Sequence, residues 1–240
     1  MRMLITILLV LTLFGASRVM ALDANEEAYA DAPPAKYLVY SVTWQPTFCI
    51  MRPSTPGCDQ APQRFLTHGV WPYSESIGNL TNRHPQYCTK SPDCTNGEAC
   101  AMRADEMSAV LANKALRDIV TREPKGMLAH EWQKHGTCSG KDMQAYFQDF
   151  VDLRKVVSFD NDAFQAMVGH ATEFSKIREV FPENTAFRCY RDKQGKQYLH
   201  EVFYLIDEKG NPYRDETNLQ IGVQCEAQKT WIPEPAKATS

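Results

Sequence analysis

The chain reads as a single α+β domain, a central antiparallel β-sheet packed with helices and stapled by disulfides. Three observations predict it. Strand-like alternation appears near the start and again near the end of the chain. Helical periodicity fills the middle, without the regular strand–helix alternation of a parallel sheet. Eight cysteines, Cys49, Cys58, Cys88, Cys94, Cys100, Cys138, Cys189 and Cys225, follow an N-terminal segment laid out like a secretory signal. An even cysteine count in that context reads as four disulfides.

The elements follow in order. Arg2, an apolar run over residues 4–14 and small residues up to Val19-Met20-Ala21 form the charged start, apolar middle and cleavage site of a signal peptide. Cleavage is expected near Ala21. The run is shorter than the roughly 18 apolar residues of a spanning helix, so an uncleaved anchor is the weaker reading. The mature protein is expected to be secreted or periplasmic and free of the membrane. Residues 22–36 are small, acidic and proline-bearing, a flexible leader. A catalytic domain is expected over 37–230 and a loose tail over 231–240.

Within the domain, Leu38, Tyr40, Val42 and Trp44 alternate, a strand. Phe65-Leu66-Thr67-His68 is a second short strand, stopped by Gly69 and Pro72. Residues 73–100 hold turn formers and three cysteines and read as a long irregular region. Helical stripes follow at Met107, Val110, Leu111 and Ala115, at Tyr146, Phe147, Phe150 and Val151, and at Phe164, Met167, Val168 and Ala171. Strand character returns over residues 198–206 and again over 219–225.

Charge narrows the function. The 26 Lys and Arg stand against 29 Asp and Glu, and removal of Arg2 and Arg18 with the signal leaves a formal net charge of −5. A protein that coats nucleic acid needs a dense basic surface, so any nucleic-acid contact is local. A structural zinc site competes for the cysteines, but no CxxC pair supports it. Spacing alone leaves the disulfide pairing open, with Cys49–Cys58 and Cys94–Cys100 close enough for local clips.

Two segments carry chemistry. The first is Phe65-Leu66-Thr67-His68-Gly69-Val70-Trp71-Pro72. It puts an imidazole at a strand end, a glycine that lets backbone approach closely, and Trp71 as a flat face for stacking a base. The second is His130-Glu131-Trp132-Gln133-Lys134-His135-Gly136-Thr137-Cys138. On a helix, Glu131 and His135 are i and i+4, as are His130 and Lys134, so all four border one cavity. Gly136 ends the helix. The two histidines are i and i+5 and diverge by roughly 140°, against roughly 40° at i+4, so they do not grip one metal as a zinc-protease helix does. A solvated helix carrying an ordinary Glu–Lys pair is the bland alternative for this segment alone.

Together the segments resemble the two active-site segments of the ribonuclease T2 family, acid RNases with little base specificity. The family's first segment reads approximately Phe-x-x-His-Gly-Leu-Trp-Pro, here with Val70 in place of Leu. The second reads approximately His-Glu-x-x-Lys-His-Gly-Thr-Cys, matched from His130 to Cys138. Trp44-Gln45-Pro46 with Cys49 looks like the first core strand, nearest the bacterial periplasmic branch. His200-Glu201-Val202-Phe203-Tyr204-Leu205-Ile206-Asp207 looks like a late one. The resemblance spans about residues 37–226. Departures are Met127-Leu128 where aromatic residues often precede the second motif, and no clear match to base-contacting positions after Trp71.

The resemblance implies an endoribonuclease acting on single-stranded RNA without metal or other cofactor, as a monomer, and leaving DNA intact. The 2′-OH attacks the adjacent phosphorus to give a 2′,3′-cyclic phosphate. His135 is then the general base, His68 the general acid, and Glu131 and Lys134 support the phosphorane while His130 binds phosphate. Glu131 either donates a proton or orients His135. Imidazoles suit this work because they titrate near about 6.5. The resemblance also implies Cys88–Cys138 and Cys189–Cys225. A catalytically dead RNA-binding member and a secreted metallopeptidase are the competing classes. The first is disfavoured by the presence of both histidines, Glu131 and Lys134, and the second by the i+5 spacing. His84 reads as an exposed loop residue, His170 and His200 as structural, and Asn79-Leu80-Thr81 as a glycosylation acceptor.

Overall fold

A computed structural model describes residues 34–73, 84–94, 100–216, 219 and 221–235. The signal peptide, residues 22–33 of the leader and Asn79 lie outside the described residues.

The centre of the molecule is strand β1 (Tyr37–Trp44), buried along its whole length. Its alternation sends Leu38, Tyr40, Val42 and Trp44 into the larger core with Val110, Leu128, Trp132 and Phe150. Tyr37 and Val39 face a second cluster with Trp71, Tyr73, Phe203, Leu205 and Ile221. Both faces are therefore covered, which explains why even Ser41 and Thr43 are buried.

Strands β2 (Phe65–Tyr73) and β5 (Gln197–Ile206) pair antiparallel with β1. Strand β4 (Thr185–Arg191) pairs antiparallel with β5. Strands β3 (Ala171–Glu173) and β6 (Lys229–Trp231) complete the sheet, antiparallel to each other. Strand β6 meets β5 in parallel, at Gln197↔Thr230 and Tyr198↔Trp231. The sheet is mixed rather than purely antiparallel, because the chain leaving β5 loops round and re-enters beside the start of the same strand. The Gln197 side chain ties that junction, donating to Thr230 Oγ1 at 2.7 Å and to the Glu226 carbonyl at 3.1 Å.

Several boundaries differ from the sequence reading. Strand β2 does not stop at Gly69 but runs on to Tyr73. It lies at the edge of the sheet, where the N–H that Pro72 lacks has no ladder to serve. Leu219 and residues 221–225 do not form a strand. Gly222 takes φ +80°, Leu219 and Ile221 stay buried, and Val223 turns out to solvent, leaving one bridge between Arg188 and Gln224. The folded chain also continues past residue 230, since β6 reaches Trp231 and Ile232 is fully buried.

The helices fall between the first and last strands. Helix α1 (Gln45–Met51) follows β1 directly, with Pro46 in its first turn. The first helical stripe forms two helices, α2 (Ala104–Ala112) and α3 (Lys114–Ile119). Asn113 separates them, its side chain accepting the Leu116 N–H at 3.3 Å. Then come α4 (Lys125–Lys134), α5 (Met143–Asp152), α6 (Asn161–Gln165) and α7 (Phe174–Glu179). Helix α6 ends well before Ala171, with Gly169 at φ +82° ahead of β3. Asp142 caps α5 by accepting the Ala145 N–H at 2.7 Å. Tyr146, Phe147 and Phe150 of α5 are buried, and the Tyr40 hydroxyl donates to the Phe150 carbonyl at 2.6 Å. Four disulfides join Cys49–Cys58, Cys88–Cys138, Cys94–Cys100 and Cys189–Cys225.

Candidate active site

His68 owes its position to an irregularity in β2. Ser41 pairs with Gly69 and Val42 with Thr67, so His68 is the extra residue of a β-bulge. A bulge re-aims the side chain that it leaves unpaired. The neighbouring Gly69 is required for packing. A Cβ there would run into the Glu131 carboxylate and the Trp71 indole nitrogen.

The second motif lies on α4 and the turn after it. His135 closes the helix, its N–H donating to the Glu131 carbonyl at 3.0 Å. Gly136 then starts a short 3-10 turn, Gly136–Cys138, where a Cβ would press on the Trp132 and Tyr146 rings. Disulfide Cys88–Cys138 pins this turn to the segment around Cys88. The Tyr87 N–H donates to the Lys134 carbonyl at 2.9 Å and the Cys88 N–H to Thr137 Oγ1 at 3.1 Å.

Between the motifs runs a chain of polar contacts. Trp71 Nε1 donates to Glu131 Oε2 at 2.7 Å. Glu131 Oε1 lies 3.3 Å from His68 Nε2, and His68 Nδ1 lies 2.5 Å from Glu201 Oε1. Glu201 Oε2 accepts from Arg188 at 2.7 Å, and its Oε1 accepts from Thr43 at 3.1 Å. Both carboxylates are 1% exposed, whereas the His68 side chain is 28% exposed. Burial disfavours charge on His68, but Glu131 and Glu201 outweigh it and push the imidazole up to about 10.

His135 has the opposite surroundings. It is 3% exposed and its ring stacks on Trp71 at 5.0 Å and on His84 at 5.2 Å. Its Nδ1 has no hydrogen-bond partner among the described residues. Burial first, then the charges of His84, Lys134, His130 and His68, hold it well below the ordinary imidazole value. The Lys134 ammonium lies 6.0 Å from the Tyr87 ring centroid. On the other side of His68 opens a cavity of about 400 Å³, lined by Thr43, His130, Thr121, Glu123 and Glu201 among others. Among the described residues, no three His, Cys, Asp or Glu side chains are grouped so as to hold a metal ion.

The profile of the Ribonuclease T2 family matches residues 35–225. The chain belongs to the ribonuclease T2 family. This T2 ribonuclease is 24% identical over 192 residues to the intracellular ribonuclease LX of Solanum lycopersicum, covering 76% of this chain and 77% of that protein. Its fold is similar to that of the SF11-RNase associated with gametophytic self-incompatibility in Nicotiana alata. That match has TM-score 0.59 and 19% identity over 84% of this chain and all of that one. It is also similar to RNase NT, solved in complex with 5′-AMP, with TM-score 0.56 and 20% identity over 83% of this chain and 98% of that one.

In this T2 ribonuclease the two motifs meet, but four sequence expectations need correcting. Trp71 is not an open stacking platform. It is 5% exposed, wedged between His135 and Phe203, because its N–H is committed to Glu131. Glu131 in turn reaches Trp71 and His68 across the strand, not the His135 side chain four residues along its own helix. His84 is not a bystander in a loop. It is half-buried and stacks on Tyr73 and His135. Nor do all four residues of the helix border one cavity: His130 lines the cavity beside His68, while His135 packs on Trp71, so the i+5 divergence places them on different sides.

Glu201 and Arg188 were not singled out from the sequence. One signal was available. Glu201 stands directly before the apolar run Val202 to Ile206 in a strand that is buried there, and a buried carboxylate in such a strand needs a charged partner. The register supplies it, with Arg188 directly across on β4 and Thr43 across on β1.

Proposed function

We propose that this T2 ribonuclease is an endonuclease that cleaves single-stranded RNA with little base specificity, by 2′-OH attack and without metal. The observation that carries the reading is the opposed environment of two imidazoles in one site. His68 is held charged between two carboxylates, and His135 is held neutral by burial and neighbouring cations. Paired groups pushed apart in this way mark an acid and a base.

The base is His135. It takes the 2′-OH proton as that oxygen attacks phosphorus. The acid is His68, which passes its Nε2 proton to the departing 5′-oxygen as the P–O5′ bond breaks. The products are a 2′,3′-cyclic phosphate and a 5′-OH. Lys134 supplies positive charge to the phosphorane, and His130 binds phosphate. Glu131, 3.3 Å from His68 Nε2, shares the proton that moves. The cavity beside His68 lies on the acid's side and accepts the departing nucleoside. RNase NT, a structural neighbour, has been solved with 5′-AMP, which supports nucleotide binding by this fold. Trp71 serves the site by holding Glu131 and stacking on His135 rather than by stacking a base. The signal-like N-terminus and four disulfides support a secreted or periplasmic enzyme, and Trp44-Gln45-Pro46 supports the bacterial branch.

The deciding experiment incubates the purified protein with RNA in excess EDTA and follows the ends by ³¹P NMR. Cyclic phosphate ends should accumulate at the rate seen without chelator, and DNA should stay intact. Loss of activity in EDTA restored by zinc, or cleavage of DNA, would overturn the reading.

A further inference from the structure

His68 is gripped by two carboxylates, and their chemistry cannot be the same. The proton on Nε2 must leave for the 5′-oxygen, so the contact with Glu131 has to loosen when substrate arrives. The proton on Nδ1 is not transferred in either half of the reaction. We infer that Glu201 is a positioning residue for catalysis: it holds the Nδ1 proton of His68 throughout, so that the ring presents Nε2 to the leaving oxygen and returns to the charged state after each turnover. This inference rests on the reading of His68 as the acid.

The geometry favours this over a plain structural ion pair. Glu201 is fully enclosed, and each carboxylate oxygen has its own role. One meets His68 Nδ1 at 2.5 Å and Thr43 Oγ1 at 3.1 Å. The other takes Arg188 at 2.7 Å. Arg188 is itself fixed, donating Nε to the Ile221 carbonyl and lying 5.3 Å from the Phe203 ring centroid. A carboxylate held on both oxygens cannot rotate away, and although burial disfavours its charge, His68 first and then the Arg188 guanidinium keep it ionised. The β-bulge at His68 brings the ring down onto this fixed acceptor. The titratable groups around His68 are Glu131, His130 and His135 from α4 and its end, Glu201 and His200 from β5, Arg188 from β4, and Glu123 across the cavity. Of these only Glu131 and Glu201 touch the ring with opposite charge. His200 is buried and burial pushes it down to about 4, so it does not compete for Glu201 as a cation.

The test is the histidine titration of the full ¹⁵N-labelled chain by NMR, together with the pH dependence of kcat/KM on a dinucleoside phosphate. In the wild type, His68 should remain charged at pH 8. In Glu201→Gln its titration should fall by roughly one to three pH units, the usual effect of losing an adjacent opposite charge. The alkaline limb of kcat/KM should fall by the same amount, with kcat lowered more than KM is raised. Glu201→Asp, which keeps the charge, should restore most of the limb. Wild-type His68 titrating near about 6.5 would overturn the inference without any variant. So would a Glu201→Gln profile scaled down uniformly with its limb unmoved and His68 unshifted. A shifted His68 titration with an unmoved activity limb would instead remove His68 as the acid, and with it the catalytic meaning of Glu201.

Discussion

The indole N–H of Trp71 donates to Glu131 Oε2 at 2.7 Å, across 60 residues of sequence. The bond joins the edge strand to the helix and leaves the other oxygen of Glu131 facing His68. It also sets the Trp71 ring flat against His135, so one side chain touches the supports of both imidazoles.

Trp71→Phe keeps most of the apolar ring and removes the donor. Glu131 Oε2 then has no indole partner in a buried site, which should cost about 1–3 kcal/mol of stability, read from urea unfolding. Activity should fall as well, since the carboxylate is no longer aimed. Stability and turnover both equal to wild type would show that this bond does not hold the site together.

Replacing either imidazole tests the assigned chemistry. His68→Ala and His135→Ala should each lower kcat by at least about 10²–10⁴-fold, the range for lost acid–base catalysis. The Cys88–Cys138 staple and the far-UV circular dichroism should be unchanged. Turnover near wild type in either variant would remove that residue from the reaction.

The pH profile has a defined sign. His135 must be neutral to act as base, and its value is lowered, so activity is lost as pH falls through a point below 6.5. His68 must be charged to act as acid, and its value is raised to about 10, so activity is lost as pH rises toward that value. The profile of kcat/KM for the free enzyme should therefore be a bell whose two limbs are spread wider than two ordinary imidazoles allow. An alkaline limb at pH 7, or a single limb, would contradict the split.

Much of the site was legible in the sequence, though unevenly. The strand over residues 37–44, the helix carrying Glu131 and Lys134, and the apolar stripe of α5 follow from side-chain periodicity, which is a local property. The same logic failed after Leu219, where alternation was present but Gly222 turned the chain and left only one bridge to β4, at Arg188 and Gln224. It failed again for Glu131. Helical spacing places it beside His135, yet a side chain goes where a donor and a countercharge are, and both were on another element.

The sequence by itself determined the family, the α+β class and the residue types that supply acid, base, carboxylate and ammonium. These are written in contiguous segments, and a segment is readable without knowing its neighbours. The tertiary structure alone decided that Trp71 is buried rather than open, that His84 stacks on His135, and that Glu201 and Arg188 stand behind His68. It also decided which imidazole is held charged and which neutral. That difference depends on burial and on charges a few ångströms away in space. Those charges sit on β4, β5 and α4, far from His68 along the chain, and only the register of the sheet brings them together.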